Sequence, residues 1–191
     1  MELATQSRHA RRKQRTRDQL KASAAALLVE KGYEALTIQD ITDRVDLARA
    51  TFYIHFRDKD DAIWAVVQDS FDELSGALVL ELTKTPRSWH FQKLVRVFQY
   101  AEQNRGLLTA ILGERGHIGL LRRLANYLAQ FIQRDLDTGL MRSQPGVPAD
   151  FAAQFMAGAT IQVLSWWLKQ PTTYTPEEIA ALFYALEVQV P

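Results

Sequence analysis

Apolar positions recur at helical spacing along most of the chain. Leu20, Ala24, Leu27 and Leu28 share one side of a helix, flanked by the helix formers Lys21, Ala22, Ala25 and Ala26. Gly32 supplies a stop. Thr37 starts a second helix, with Asp40 three residues on in place of the usual capping-box glutamate, and Ile38, Ile41 and Val45 form its stripe. Asp46 and Leu47 make the turn, and Ala48 to Ile54 forms a third short helix. Asp58, with Asp61 three positions later, opens a fourth that runs through Ile63, Val67, Phe71, Leu74 and Leu78 and is closed by Lys84 to Pro86.

Further along, Ser88 caps a helix carrying Phe91, Leu94, Val95, Phe98 and Ala101. Asn104 to Gly106 breaks it, and the apolar piece Leu107 to Leu112 follows. A helix from about Ile118 to Asp137 places Leu121, Leu124, Leu128, Phe131 and Ile132 on one side. Gly139 and the stretch Ser143 to Pro148 read as loop. Asp150 to Lys169 is apolar around much of its circumference, and Thr175, Pro176 and Glu178 form a capping box for a last helix through Ile179, Leu182, Phe183 and Leu186. No strand alternation, repeat or low-complexity tract persists. The prediction is an all-α chain of about nine helices.

Composition narrows the function classes. In 191 residues the hydrophobic fraction of 47% suffices for a packed core without staples. There is no cysteine, which fits a reducing cytoplasm and removes disulfides and thiolate sites. The polar, basic beginning does not read as a secretory signal. No uninterrupted apolar stretch is long enough to span a bilayer, so no membrane partner is expected. A net charge of +1 hides a cluster: Arg8, Arg11, Arg12, Lys13, Arg15, Arg17 and Lys21, opposed only by Asp18. In front of two short helices joined by a turn, that is the electrostatic footprint of a nucleic-acid binder rather than a solvated tail.

The segment Thr37 to Lys59 has the layout of a helix-turn-helix, whose second helix is presented to the major groove. Arg49 has the planar fork that matches guanine O6 and N7. Ala50 and Thr51 suit a thymine methyl, Ile54 adds apolar contact, and Gln39 suits adenine or a phosphate. Arg15 and Arg17 supply phosphate contacts from the basic arm. Phe52 and Phe56, four apart, belong to the core. The bland alternatives are that Arg49 is a solvated charge and that Tyr53 and His55 pack the small domain.

Gly32-Tyr33, the Leu36-Thr37 helix start, Ile41, the run Arg49 to Phe56 and Lys59 together resemble the TetR/AcrR family of bacterial transcriptional regulators. The stretches Phe155 to Leu168 and Tyr174 to Ala180 look like the subgroup that includes the dihydroxyacetone-kinase regulator. The resemblance implies a three-helix DNA-binding head with its basic arm at 1–59 and an effector-binding, dimerising body at 60–191. It also implies phosphate contacts from Thr37, Tyr53, His55 and Lys59. Two positions depart from the pattern: Asp46 replaces the usual turn glycine and Ala48 the usual serine cap. Aspartate tolerates the left-handed backbone, whereas alanine offers no capping oxygen.

The expected function is a ligand-responsive homodimeric repressor on a palindromic operator in double-stranded DNA, with a small-molecule effector of unknown identity and no cofactor. Adjacent Trp166 and Trp167 point about 100° apart and are hard to bury in one subunit. With the small residue Ala157 and with Phe183 they are the expected dimer interface. Phe98, Tyr100, Tyr127, Phe131, Phe155 and Trp166, with Gln99, Asn126, Gln130, Gln154 and Gln162, are available either to an effector pocket or to ordinary core packing. The rival function is a co-regulator that keeps the fold but acts through a partner protein. An enzyme is disfavoured: there is no phosphate loop, no thiol, and the four histidines lack metal spacing.

Overall fold

The computed structural model describes residues 2–79, 86–113, 117–141, 143–170 and 174–188. Among these there are nine helices and no strand. They run in order as α1 (Glu2–Lys31), α2 (Ile38–Asp43), α3 (Arg49–His55), α4 (Lys59–Val79), α5 (Pro86–Gln103), α6 (Arg105–Leu112), α7 (Ile118–Asp137), α8 (Ala149–Lys169) and α9 (Pro176–Val188).

Local chemistry sets the boundaries. Thr37 caps α2 with its hydroxyl on the Asp40 amide, while the Asp40 carboxylate accepts from the Thr37 amide at 3.0 Å. Asp58 caps α4 by accepting from the Asp61 amide at 2.8 Å. Thr175 and Glu178 form the reciprocal box expected at α9. Two expectations are corrected. The basic stretch belongs to α1, one continuous helix of 30 residues, and is no separate arm. Ser88 lies inside α5, which opens two residues earlier at Pro86, where a proline costs no hydrogen bond. Of the expected closure of α4, Lys84 and Thr85 lie outside the described residues.

The chain divides into two compact units, one ending at Ser70 and the other starting at Phe71. The first therefore takes more than half of α4, where a boundary near residue 59 was expected. It is held by burial of Leu20, Ala24 and Leu28 from α1, Ile41 from α2, Phe52 and Phe56, and Ile63, Trp64 and Val67 from α4. In the second unit, Phe98 of α5 meets Trp167 edge-on at 5.6 Å and Phe183 at 6.2 Å. A second cluster joins Ala129, Ile132, Met141, Ala153 and Ala157 across α7 and α8. The small side chains of α8 let it approach α7 closely.

These contacts overturn three of the four expected interface residues. Trp167 is only 2% exposed within one subunit, because its indole lies against Phe98 and its Nε1 donates to the Tyr174 carbonyl at 3.0 Å. Ala157 and Phe183 are likewise buried core. Trp166 alone is on the surface, 43% exposed.

Candidate nucleic-acid interface

The turn between α2 and α3 is built from a left-handed residue. Asp46 has φ +52°, and the Leu47 amide reaches back to the Thr42 carbonyl at 3.0 Å while the Asp46 amide reaches Asp43 at 3.2 Å. This is the hydrogen-bond pattern of a Schellman ending, and aspartate supplies the positive φ that glycine usually does. Ala48 then enters α3 in extended geometry with no side-chain cap hydrogen bond.

α3 is fixed from behind. Phe52 and Phe56 are 0% and 2% exposed, with ring centroids 5.6 Å apart. The opposite face is open: Arg49 and Ala50 are exposed, Tyr53 is 49% and Ile54 66% exposed, and Thr51 is half-buried. The Arg49 Nη2 donates to the Tyr53 hydroxyl at 3.1 Å, one helical turn away, and its guanidinium lies 5.9 Å from the Tyr53 ring. At the start of α2, Gln39 is exposed and its amide donates to Asp43 at 2.5 Å. The Thr37 hydroxyl is exposed and donates to Asp40 at 2.7 Å.

Other expected phosphate ligands have structural partners. The Arg17 Nη1 donates to the His55 carbonyl at 2.7 Å, and its guanidinium stacks 4.3 Å over the Phe56 ring. Arg17 thereby closes the C-terminal end of α3, where a cation is favoured. The Lys59 ammonium donates to the Tyr33 carbonyl at 2.8 Å and sits 4.1 Å over its ring, while the Tyr33 hydroxyl donates to Asp60. Desolvation, with Asp60 beside it, pushes the Tyr33 phenol above its ordinary range. His55 is half-buried, its Nδ1 without a hydrogen-bond partner. Burial, then Lys13 and Arg17, lower its pKa and favour the neutral ring. Arg15 is exposed.

The head therefore carries an outward set (Arg49, Ala50, Tyr53, Ile54, with Gln39 and Thr37 at its edge) and a supporting set (Arg17, Lys59). Sequence reading missed the supporting roles because Arg17 and His55 are 38 residues apart, with no local pattern linking them. Lys31 bonds Asp40 at 2.6 Å and Arg44 bonds Glu30 at 2.7 Å, tying α2 to the end of α1. Among the described residues no cluster of histidine and carboxylate side chains could hold a metal, and no helix is long and apolar enough to cross a membrane.

In the second unit, Phe98 belongs to the core, Tyr127 packs edge-on against Phe71 at 5.2 Å, and Phe155 is 68% exposed. Phe131 lies between two cations, Lys93 at 4.6 Å and Arg134 at 4.7 Å, and Lys93 is paired with Asp135 in the interior. Gln130 and Gln154 line an open groove of about 580 Å³ between α7 and α8, with Gln133, Arg134, Asp137 and Phe151. Phe151, Phe155 and Gly158 on α8, and Leu182 and Leu186 on α9, form exposed stripes opposite the buried faces of their helices. Phe151 with Phe155 and Leu182 with Leu186 stand four residues apart, a spacing that was legible in the sequence.

Comparison with known proteins agrees with this geometry. Residues 20–63 match the model of bacterial regulatory proteins of the tetR family, and residues 89–187 match that of a transcriptional regulator C-terminal region. The HTH-type transcriptional regulator YxbF of Bacillus subtilis is 25% identical over 91% of this chain and 44% of its own length. The chain spans between 37% and 44% of the lengths of the first curated relatives it matches. Among solved structures, a TetR transcriptional regulator from Streptococcus agalactiae superposes with a TM-score of 0.71 at 24% identity, covering 93% of this chain and 96% of the other. The transcriptional regulator FadR of Bacillus subtilis, solved in complex with stearoyl-CoA, gives 0.66 at 16% identity, covering 90% and 97%. With both units matched and a helix-turn-helix in the first, the chain belongs to the tetR family of bacterial transcriptional regulators, with its DNA-binding domain at the N-terminal end.

Proposed function

We propose that this chain is a ligand-responsive, homodimeric repressor that binds a palindromic operator in the cytoplasm, without a cofactor or catalytic activity. The observation that carries the reading is the two-sidedness of α3: Phe52 and Phe56 are sealed in the core while Arg49, Ala50 and Ile54 stand in solvent. Arg49 reads guanine, Ala50, Thr51 and Ile54 contact thymine methyls, and Gln39 reaches from the first turn of α2. Thr37, Tyr53, His55 and Arg15 hold phosphates.

The dimer forms through the exposed stripes of α8 and α9, with Phe155, Trp166 and Leu186 as its anchors, so that two heads address successive major grooves about 34–36 Å apart. Small exposed Gly158 between the aromatics allows close helix approach. FadR, solved with an acyl-CoA, supports a body that takes a small organic effector. α4, whose residues are shared between the two units, carries the effector's signal to the head. Effector and operator then weaken each other's binding by the same factor.

Selection of bound sequences from a random duplex library tests this reading. A palindrome is expected, and Arg49→Ala should cost about 1–3 kcal/mol and relax preference at one base pair per half-site. Weak binding without sequence preference would overturn it in favour of a co-regulator that works through a partner protein.

A further inference from the structure

Arg49, the first residue of α3, is held by its own helix. Its Nη2 donates to the Tyr53 hydroxyl at 3.1 Å, and the guanidinium stands 5.9 Å from the centroid of the Tyr53 ring. Residues four apart share a helix face, and helical side chains lean toward the N-terminus, so Tyr53 lies back over the turn that carries Arg49. The tyrosine is itself seated. Its ring meets Phe52 edge-on at 5.7 Å and 87°, and Phe52 is fully buried. Contact therefore runs from the core through Phe52 and Tyr53 to the tip of an exposed arginine.

The chemistry of the partner matters. α3 contributes no carboxylate, and its arginine bonds a neutral oxygen. A carboxylate would cancel the charge and would have to be stripped away before DNA could bind. A hydroxyl orients the fork and leaves its charge for the groove. One of the five guanidinium N–H groups is used, and a bidentate contact with guanine needs only two of those that remain. A mobile arginine loses rotamer freedom on binding, a cost that fixing it beforehand avoids. The hydroxyl also keeps its own O–H. Accepting a bond from a cation makes it a stronger donor, and a phosphate is the acceptor beside it when α3 lies in the groove.

We infer that Tyr53 is a positioning and specificity-determining residue of the reading helix, whose hydroxyl holds the Arg49 guanidinium in the posture that reads one guanine per half-site. The inference rests on the reading of Arg49 as the base reader and adds a second role to Tyr53, beyond its phosphate. Base recognition and docking register then meet on one oxygen, which accepts from the reader and donates to the backbone. A phosphate contact by itself carries no sequence information, so an effect of the Tyr53 hydroxyl on base choice is the signature of this role.

The test uses the full chain, the operator selected from the random duplex library, and the variants Tyr53→Phe, Arg49→Ala and their combination. Tyr53→Phe removes one oxygen and keeps the ring on Phe52, and a urea midpoint checks that the head stays folded. Affinity for the operator should fall roughly two- to tenfold, the equivalent of immobilising one long side chain. The slope of log affinity against log salt should not change, because a neutral hydroxyl releases no counterions. Base preference should relax at the single base pair whose preference Arg49→Ala abolishes. In the Arg49→Ala background, Tyr53→Phe should alter no preference further. Without DNA, the order parameter of the Arg49 Nε should be lower in Tyr53→Phe than in the wild-type chain. An Arg49 equally mobile in both chains would overturn the inference. So would a loss of affinity with every preference intact, which leaves Tyr53 a phosphate ligand alone, or tighter binding by Tyr53→Phe, which makes the bond a competitor of the base. If Arg49→Ala itself changes no preference, the base-reading assignment of Arg49 falls and the inference falls with it.

Discussion

Placing a serine at position 48 tests the account of the recognition helix most directly. Ala48 already has the extended backbone of a cap, φ −65° and ψ 143°, and its carbonyl accepts from the Thr51 amide at 2.8 Å. It lacks only a side-chain oxygen, and no side-chain cap hydrogen bond is made there. Ala48 is exposed, so a hydroxyl enters without a clash or a desolvation cost. A serine cap in place of alanine contributes about 1 kcal/mol, within a range of about 0.5–2. For a unit of this size, 1 kcal/mol raises the midpoint of thermal unfolding by roughly 4–8 °C. The sharper assay is amide hydrogen exchange at Phe56, whose amide donates to the Phe52 carbonyl at 2.9 Å. If α3 opens with the first unit, Ala48→Ser should slow that exchange about fivefold, the equivalent of about 1 kcal/mol. Base preference should not move, since Ala48 is outside the reading set. Unchanged or faster exchange would refute the claim that α3 begins with an uncapped end.

Three further outcomes follow from the same contacts. Arg17→Ala should destabilise the head by about 1–2 kcal/mol in urea without any DNA present, through loss of the His55 carbonyl bond and the Phe56 stack; no change would return Arg17 to a phosphate role alone. Because the His55 pKa is lowered by burial and by Lys13 and Arg17, the unfolded chain takes up that proton at a higher pH than the folded one. Its contribution is therefore fully present above the ordinary histidine value of about 6.5 and is lost as pH falls through the depressed one, so the urea midpoint should drop on acidification and do so less in His55→Gln. Asp135→Asn should cost about 3–5 kcal/mol by stranding the buried Lys93 ammonium, and the paired change Lys93→Met with Asp135→Leu should recover most of it; equal losses in the single and paired variants would show that the ion pair is not what matters.

The sequence by itself determined the helices, because their signals are local. A threonine three residues before an acid, a stripe at 3.6-residue spacing and a glycine after a lysine are short-range facts, and Thr37, Asp58, Thr175 and Gly32 act where they were read. It also named the outward residues of α3, since Phe52 and Phe56 four apart leave Arg49, Ala50 and Ile54 to solvent. What only tertiary structure decided is which partner each side chain meets. Arg17 reaches a carbonyl 38 residues away, and Lys59 reaches Tyr33 across 26. Trp167, which looked too large to bury in one subunit, is enclosed by Phe98 and Tyr174. Neighbouring residues on a helix point about 100° apart, so the chain alone places Trp166 and Trp167 on different faces. Which face becomes interior depends on the helices packed against it, and that packing brought α5 onto Trp167 and left Trp166 in solvent.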